Sequence, residues 1–403
     1  MDGGVVRRPA TKRCALMMAL GRLGVCGVVV AAAATVLSGC ASPTQVRAVG
    51  QVVVERVPDA GLVADISVGP GGTVHLVSID GTPEAGDVMY RRRTSSATAW
   101  SAPIRVNATA GAGMTIGAVR GPRIAEGRRG LVHVLWNGSS RVTTDQKRGA
   151  PLLYARIDGS RVSDARNLMT ASTMLDGGGA IATDQDGHVY ALWHGLVAPR
   201  TRDAERNAFL SVSTDDGGSF APEHVVNPEN SGVCGCCGMA ATVPAGSGLL
   251  WLVRAATDDR ARDMMIMRLD GGVPSVLLRD PWQLEACPLS TSALANTATG
   301  AVAAWETRGQ ILTSEVVGGR AGRPVPAPGT GQRRFPAVAL NTAGDMLLAW
   351  TEGAAWARGG SLAWVLLEHG SRRELDAGTV PNLRPWTKPA AYARPDGRFV
   401  LLY

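Results

Sequence analysis

Three cysteines fall within four positions, Cys234, Cys236 and Cys237 in NSGVCGCCGMA, and a fourth, Cys287, stands alone in WQLEACPLS. Thiols so spaced have three uses. They can form disulfides, with Cys287 joined to one of the three and another pair inside the cluster; direct pairing of the neighbours Cys236 and Cys237 would be strained. They can hold a soft metal, Cu(I) or zinc, with His194 as a further ligand, although the spacing is not the paired C-x-x-C of a zinc ribbon. They can also act as redox or catalytic thiols. Disulfide bonding is the expectation, and no cofactor is required.

A second group of residues suits acid–base chemistry or the binding of an anion. Asp176 lies in LDGGG, Glu306 in AWET and Glu352 in AWTEG, and carboxylates facing one pocket can serve as acid and base. Arg123, Arg254, Arg333 and Arg334, with His194 in LWHG, can grip a carboxylate, a sulfated sugar or an acidic peptide. His75, His133 and His188 are expected to pack or face solvent, and Met264, Met265 and Met267 to fill core space.

What must position these groups is a repeat. A small apolar run, a glycine turn and a strand often ending in tryptophan recur from residue 64 to the end: ADISVGPGGTVHLVSID, PRIAEGRRGLVHVLWNG, GAIATDQDGHVYALWHG, MAATVPAGSGLLWLVRAA, SALANTATGAVAAWET, PAVALNTAGDMLLAWTEG and PAAYARPDGRFVLLY. The turn glycines Gly72, Gly130, Gly187, Gly248, Gly300, Gly344 and Gly397 stand 44 to 61 residues apart. Hairpins at that period predict an all-β protein, a β-propeller, because each sheet is too thin to bury both its faces alone. Seven hairpins predict seven blades, with six as the alternative. The last copy lacks its outer strands, so QVVVERV (51–57) is expected to complete that blade and close the ring.

Strand order then sorts the residues. The start of the first strand (A) and the end of the second (B) open on one face, and the turns between the third and fourth strands (C and D) on the other. The first face collects Arg120, Arg123, Asp176, the cysteines, Arg333, Arg334, Arg384 and Lys388 ahead of A strands. Asn137, His194, Arg254, Glu306 and Glu352 follow B strands. Cys237 precedes its turn glycine by 11 residues and Cys287 the next by 13, so the two segments are expected side by side at the rim of one channel.

The first 39 residues read as a targeting segment: a basic leader (Arg7, Arg8, Lys12, Arg13), then an apolar run ending in small residues. Leu37-Ser38-Gly39-Cys40 resembles the bacterial lipobox, which implies lipidation of Cys40, a linker over 40–50, a propeller over 51–403 and anchorage to membrane in the cell envelope. A membrane-spanning anchor is the alternative. Without the leader's five basic residues and Asp2 the net charge falls from +7 to about +3, so a nucleic-acid partner is not implied. A monomer is expected.

STDDGGSF fits the Asp-box pattern through Ser213, Asp215, Gly217 and Phe220, and here the chain resembles the sialidase superfamily of propellers. Phrases such as GPRIA, VCGCCGMAA and WQLEACPLSTSALA resemble a subgroup of bacterial sialidase-like lipoproteins that carry the CxCC motif. The resemblance implies a three-arginine grip on a carboxylate, met by Arg123, Arg254 and Arg334, and an acid/base aspartate, met by Asp176. The sequence departs from it at Ala125, where the family's Arg-Ile-Pro has proline, and in placing none of its five tyrosines in an open-face loop. The expectation is therefore a binding or accessory module for an anionic glycan, peptide or soft metal. An exo-sialidase-type glycoside hydrolase is the alternative.

Overall fold

The computed structural model describes residues 47–49, 51–197 and 200–403. The leader, Cys40 and most of the 40–50 stretch lie outside them. Seven sheets of four or five strands are present, six of them built in chain order from the inside outward and the seventh from both ends of the chain, so the protein is a seven-bladed β-propeller. The seven A strands are Leu62–Val68, Arg123–Glu126, Ala180–Thr183, Ala240–Thr242, Ser292–Thr297, Arg333–Leu340 and Ala390–Ala393. They surround a central channel. No helix among the described residues is long and apolar enough to cross a membrane.

The repeat folds this way because its B strands are apolar on both faces and need cover from both neighbours. Trp136, Trp193, Trp251 and Trp305 in successive B strands are at most 1% exposed, each wedged between two blades. A side chain of that size buries roughly 200 Å², about 5 kcal/mol of gross hydrophobic stabilisation. The methionines of the fourth blade's C strand (Met264–Asp270) are likewise core.

The seventh blade closes the ring. Its A and B strands come from the C-terminal end (Ala390–Ala393, Phe399–Leu402), and Val52–Glu55 and then Arg47–Val49 are added outside them. Arg47–Val49 belongs to the stretch expected as linker; it hairpins onto Val52–Glu55 instead, Val49 opposite Val52. Val52–Glu55 sits where a C strand would, yet runs parallel to Phe399–Leu402, whereas every other C strand is antiparallel to its B strand. The reason is directional. This strand must deliver the chain to the face where Leu62 begins the first blade, so it runs upward as a D strand does.

The turn at 213–220 lies on the opposite face. Ser213 Oγ donates to Asp215 Oδ1 at 2.7 Å and accepts the Gly217 amide at 2.8 Å, and Asp215 accepts both the amide and the hydroxyl of Ser219. Phe220 meets Tyr154 edge-on at 4.8 Å. Nearby, His133 Nδ1 and the Tyr154 hydroxyl are 2.7 Å apart, and His75 makes the same bond to Tyr90, so both histidines are structural.

Candidate functional site

The upper channel is a cavity of about 150 Å³ bounded by all seven A-strand segments. Most of the residues that line it are alanine or aliphatic, but three charged groups meet in it. Arg123 opens the second blade's A strand, Lys388 precedes the seventh's, and Asp65 lies within the first's. Arg123 Nη1 and Lys388 Nζ are each 3.7 Å from Asp65 Oδ1. Asp65 Oδ2 accepts the Ile124 amide at 3.2 Å, and Arg123 Nε donates to the Gly179 carbonyl at 3.2 Å. The two cations are 7% and 5% exposed. Burial, with repulsion from Arg123, pushes the Lys388 ammonium down to about 8 against the pull of Asp65. Two buried cations thus share one carboxylate.

The sulfur cluster adjoins this pocket. Cys236 and Cys287 form a disulfide that ties together the segments leading into the fourth and fifth blades. Cys234 and Cys237 are free and buried, with Cys234 Sγ 3.3 Å from Cys237 Sγ and 3.5 Å from Cys236 Sγ. Gly238, directly after them, approaches Arg123: a Cβ there would stand 3.2 Å from Arg123 Nη2. The LDGGG loop packs on the same segment without room for side chains. A Cβ on Gly177 would fall 2.2 Å from the Cys237 carbonyl oxygen, and one on Gly178 2.2 Å from that of Val119.

Cations surround the sulfurs. Arg254, 2% exposed, donates through Nη1 to the Arg262 carbonyl at 2.7 Å and through Nη2 to the Glu306 carbonyl, and lies 5.1 Å from the Trp282 ring. Arg262 is 3.5 Å from Asp203. The Nε of Arg254 and of Arg262 makes no hydrogen bond. Burial pushes the Cys237 thiol up, but the Cys234 thiol, Arg254 and the Ser290 amide bring it below its ordinary value. Cys234 is raised, by its hydrogen bond to Cys237 and by burial. His194 is fully buried with neither ring nitrogen hydrogen-bonded in normal geometry. Burial and Arg206 drive its pKa well down, so it stays neutral.

The carboxylates are dispersed. Asp176 pairs with Arg120, beside the third blade. Glu306 is 3% exposed; its Oε1 accepts the Gly309 amide at 2.7 Å, its Oε2 accepts no hydrogen bond but lies 4.0 Å from Arg254 Nη2, and burial raises its pKa despite Arg254. Glu352 accepts the Gln332 amide and the Trp350 indole N–H, with Arg333 Nε at 3.5 Å. Arg333 donates to Gln310 and to the Pro328 carbonyl and stacks on Trp350 at 4.4 Å, so it is engaged within the fold. Arg334 donates to the Pro288 carbonyl at 2.7 Å, securing the loop that carries Cys287.

The structure thus brings Arg123 and the cysteines together, places Arg254, Glu306 and His194 around the sulfurs with Asp176 against the cysteine loop, where a Cβ on Gly235 would stand 3.1 Å from Asp176 Oδ2, and leaves the Arg333–Glu352 pair apart. Lys388 was visible as an open-face residue but not as Arg123's partner, and Asp65 was missed. Its signal is a lone acid inside the apolar run of ADISV. A larger hollow, about 1260 Å³, lies on the opposite face among turns of blades 1, 5, 6 and 7, such as Gly69, Asn296, Thr342 and Pro395. Its size reflects the spread of those turns. The buried, incompletely neutralised charge is in the smaller axial pocket, which is the stronger candidate.

Fold and pocket together define a seven-bladed β-propeller with a cationic axial mouth and a sulfur cluster at its rim. No family model matches the sequence, and no curated protein matches it. Among solved structures it is similar to the Hadza microbial sialidase Hz136, at 12% identity over 77% of this chain and 70% of that one, with a TM-score of 0.48. It is also similar to the Aleuria aurantia lectin AAL (11%, 79% and 95%, 0.48) and to a fungal alcohol oxidase of the AA5 family in complex with copper (13%, 84% and 69%, 0.49). At these identities and scores nothing about ligand or chemistry passes from those proteins to this one.

Proposed function

We propose that the protein is a binding module whose axial pocket takes the carboxylate of an acidic glycan or an acidic peptide. One observation carries this: Arg123 and Lys388, both buried, share the single carboxylate of Asp65. A buried cation without a full counter-charge is costly, and an arriving anion removes that cost. A cavity of about 150 Å³ suits a carboxylate and a few attached atoms rather than a whole oligosaccharide. Calorimetric titration with glucuronate, N-acetylneuraminate and a glutamate-rich peptide, against glucose as the neutral control, tests it. Binding of an acid but not of glucose, lost in Arg123→Ala and Lys388→Met, is the expected result; equal heats for glucose and glucuronate would end the reading.

The hydrolase alternative has less support, because Asp176, Glu306 and Glu352 are each held by a different cation. Release of a fluorogenic sialoside, abolished by Arg123→Ala, is what would favour it. A soft cation, Cu(I) or zinc, would find three close sulfurs only if Cys236 were freed from Cys287. We also read Cys40 as a lipid anchor that holds the propeller at the bacterial envelope, which palmitate labelling of wild type and Cys40→Ala tests.

A further inference from the structure

The four cysteines grade from solvent to core. Cys287 is exposed, Cys236 is half-buried, and Cys234 and Cys237 are buried. Their contacts follow the same order: a bond between Cys287 and Cys236, 3.5 Å from Cys236 to Cys234, and 3.3 Å from Cys234 to Cys237. A simple structural bridge does not need two unbonded thiols beside it, nor two arginines whose Nε atoms are buried without acceptors. Arg254 acts on both buried thiols and Arg262 on Cys234, as thiolate chemistry in a dry site requires.

The geometry points to a thiol–disulfide exchange site, in which the buried Cys234/Cys237 dithiol reduces the surface Cys236–Cys287 disulfide and so presents a dithiol at the channel rim to a disulfide-bearing substrate. In the first step Cys234 loses its proton to solvent and its sulfur attacks Cys236. The Cys234–Cys236 bond forms, the Cys236–Cys287 bond breaks, and Cys287 leaves as a thiolate that is protonated by water. In the second step Cys237 loses its proton to solvent and attacks Cys234. The Cys234–Cys237 bond forms, and Cys236 leaves as a thiolate and is protonated. Two thiols are oxidised and one disulfide is reduced, so no outside oxidant is consumed. A substrate disulfide is then attacked by the Cys287 thiolate, expelling one substrate thiol. Cys236 resolves the mixed disulfide, expelling the other and restoring the Cys236–Cys287 bond. The cationic mouth beside Gly238 would favour an acidic substrate, but the exchange does not depend on the carboxylate pocket.

The test uses the full chain purified without reductant, a polymer-linked maleimide too large to reach buried thiols, and non-reducing peptide mass spectrometry. Expected for the wild type is label on Cys236 and Cys287 growing in step with a new Cys234–Cys237 bridge, at least about tenfold faster than in Cys234→Ala. Cys237→Ala is expected to stop at Cys234–Cys236 with label on Cys287 alone. Tryptophan fluorescence checks that both variants are folded, and the wild-type arm needs no variant. Three results would overturn the inference. One is an unlabelled, unchanged Cys236–Cys287 bridge while a reduced control labels fully. Another is two bridges present from the start that resist dithiothreitol. The third is a stoichiometric metal ion held on Cys234 and Cys237.

Discussion

Arg123 Nη1 and Lys388 Nζ stand at the same distance, 3.7 Å, from the same atom, Asp65 Oδ1. The three residues come from the second, seventh and first blades, so this contact exists only because the ring closes. Asp65→Asn leaves both cations without a carboxylate and is expected to cost about 3–5 kcal/mol in denaturant unfolding. A loss under about 1 kcal/mol would mean that the two charges are neutralised elsewhere.

Lys388 makes the protein's stability rise on the alkaline side. Its folded pKa of about 8 lies below the unfolded value of 10.5, so the unfolded chain holds the extra proton in between, and stability increases as pH climbs through that window. Relative to Lys388→Met, the wild type is expected to gain about 2 kcal/mol between pH 7 and 9.5. Anion affinity should move the other way, falling above pH 8 as the ammonium is lost. Parallel stability curves for the two proteins would contradict both expectations.

His133 sets the response to acid. Burial, with Arg156, lowers its pKa to about 4, so the folded state refuses a proton that the unfolded chain accepts near 6.5. Stability present at pH 7 is lost as pH falls through 6.5 toward 4, about 2 kcal/mol of it by pH 5. Urea midpoints at pH 7 and 5 measure this, and His133→Gln should shrink the difference.

The Cys236–Cys287 bridge closes a loop with a sequence separation of 51 residues. Chain entropy assigns such a loop about 4 kcal/mol. Cys287→Ser should lose most of that in chemical unfolding, without loss of glucuronate binding, because Arg123 and Lys388 are held by other contacts. Loss of binding with stability intact would place Cys287 in the ligand pocket itself.

Glu306→Gln removes a buried carboxylate whose charge is disfavoured by burial more than it is favoured by Arg254, 4.0 Å from its Oε2, and is expected to leave stability within about 1 kcal/mol or raise it. If sialoside hydrolysis were detected and this change abolished it, Glu306 would have to be assigned a catalytic role.

Repeats, tryptophan positions and glycine turns are local properties, and they made the seven blades and their two faces legible in the chain. So was the nearness of Cys287 to the cluster, since Cys237 and Cys287 hold almost the same place in successive repeats. Their partnership was not: which of three thiols Cys287 meets depends on ångström-scale placement in an irregular loop. Lys388 could be put on the right face but not beside Arg123, and Asp65 looked like any polar residue in a strand.

The linear order of residues determined the propeller, its open face and the set of polar groups on it, because strand alternation and turn chemistry act over a few neighbours. Tertiary structure alone decided which of those groups meet. It turned Arg333 inward onto Gln310 and Trp350, paired Asp176 with Arg120, and set Arg123 and Lys388 on one carboxylate. Burial and charge pairing depend on distances between blades that are far apart along the chain, and only closure of the ring sets those distances.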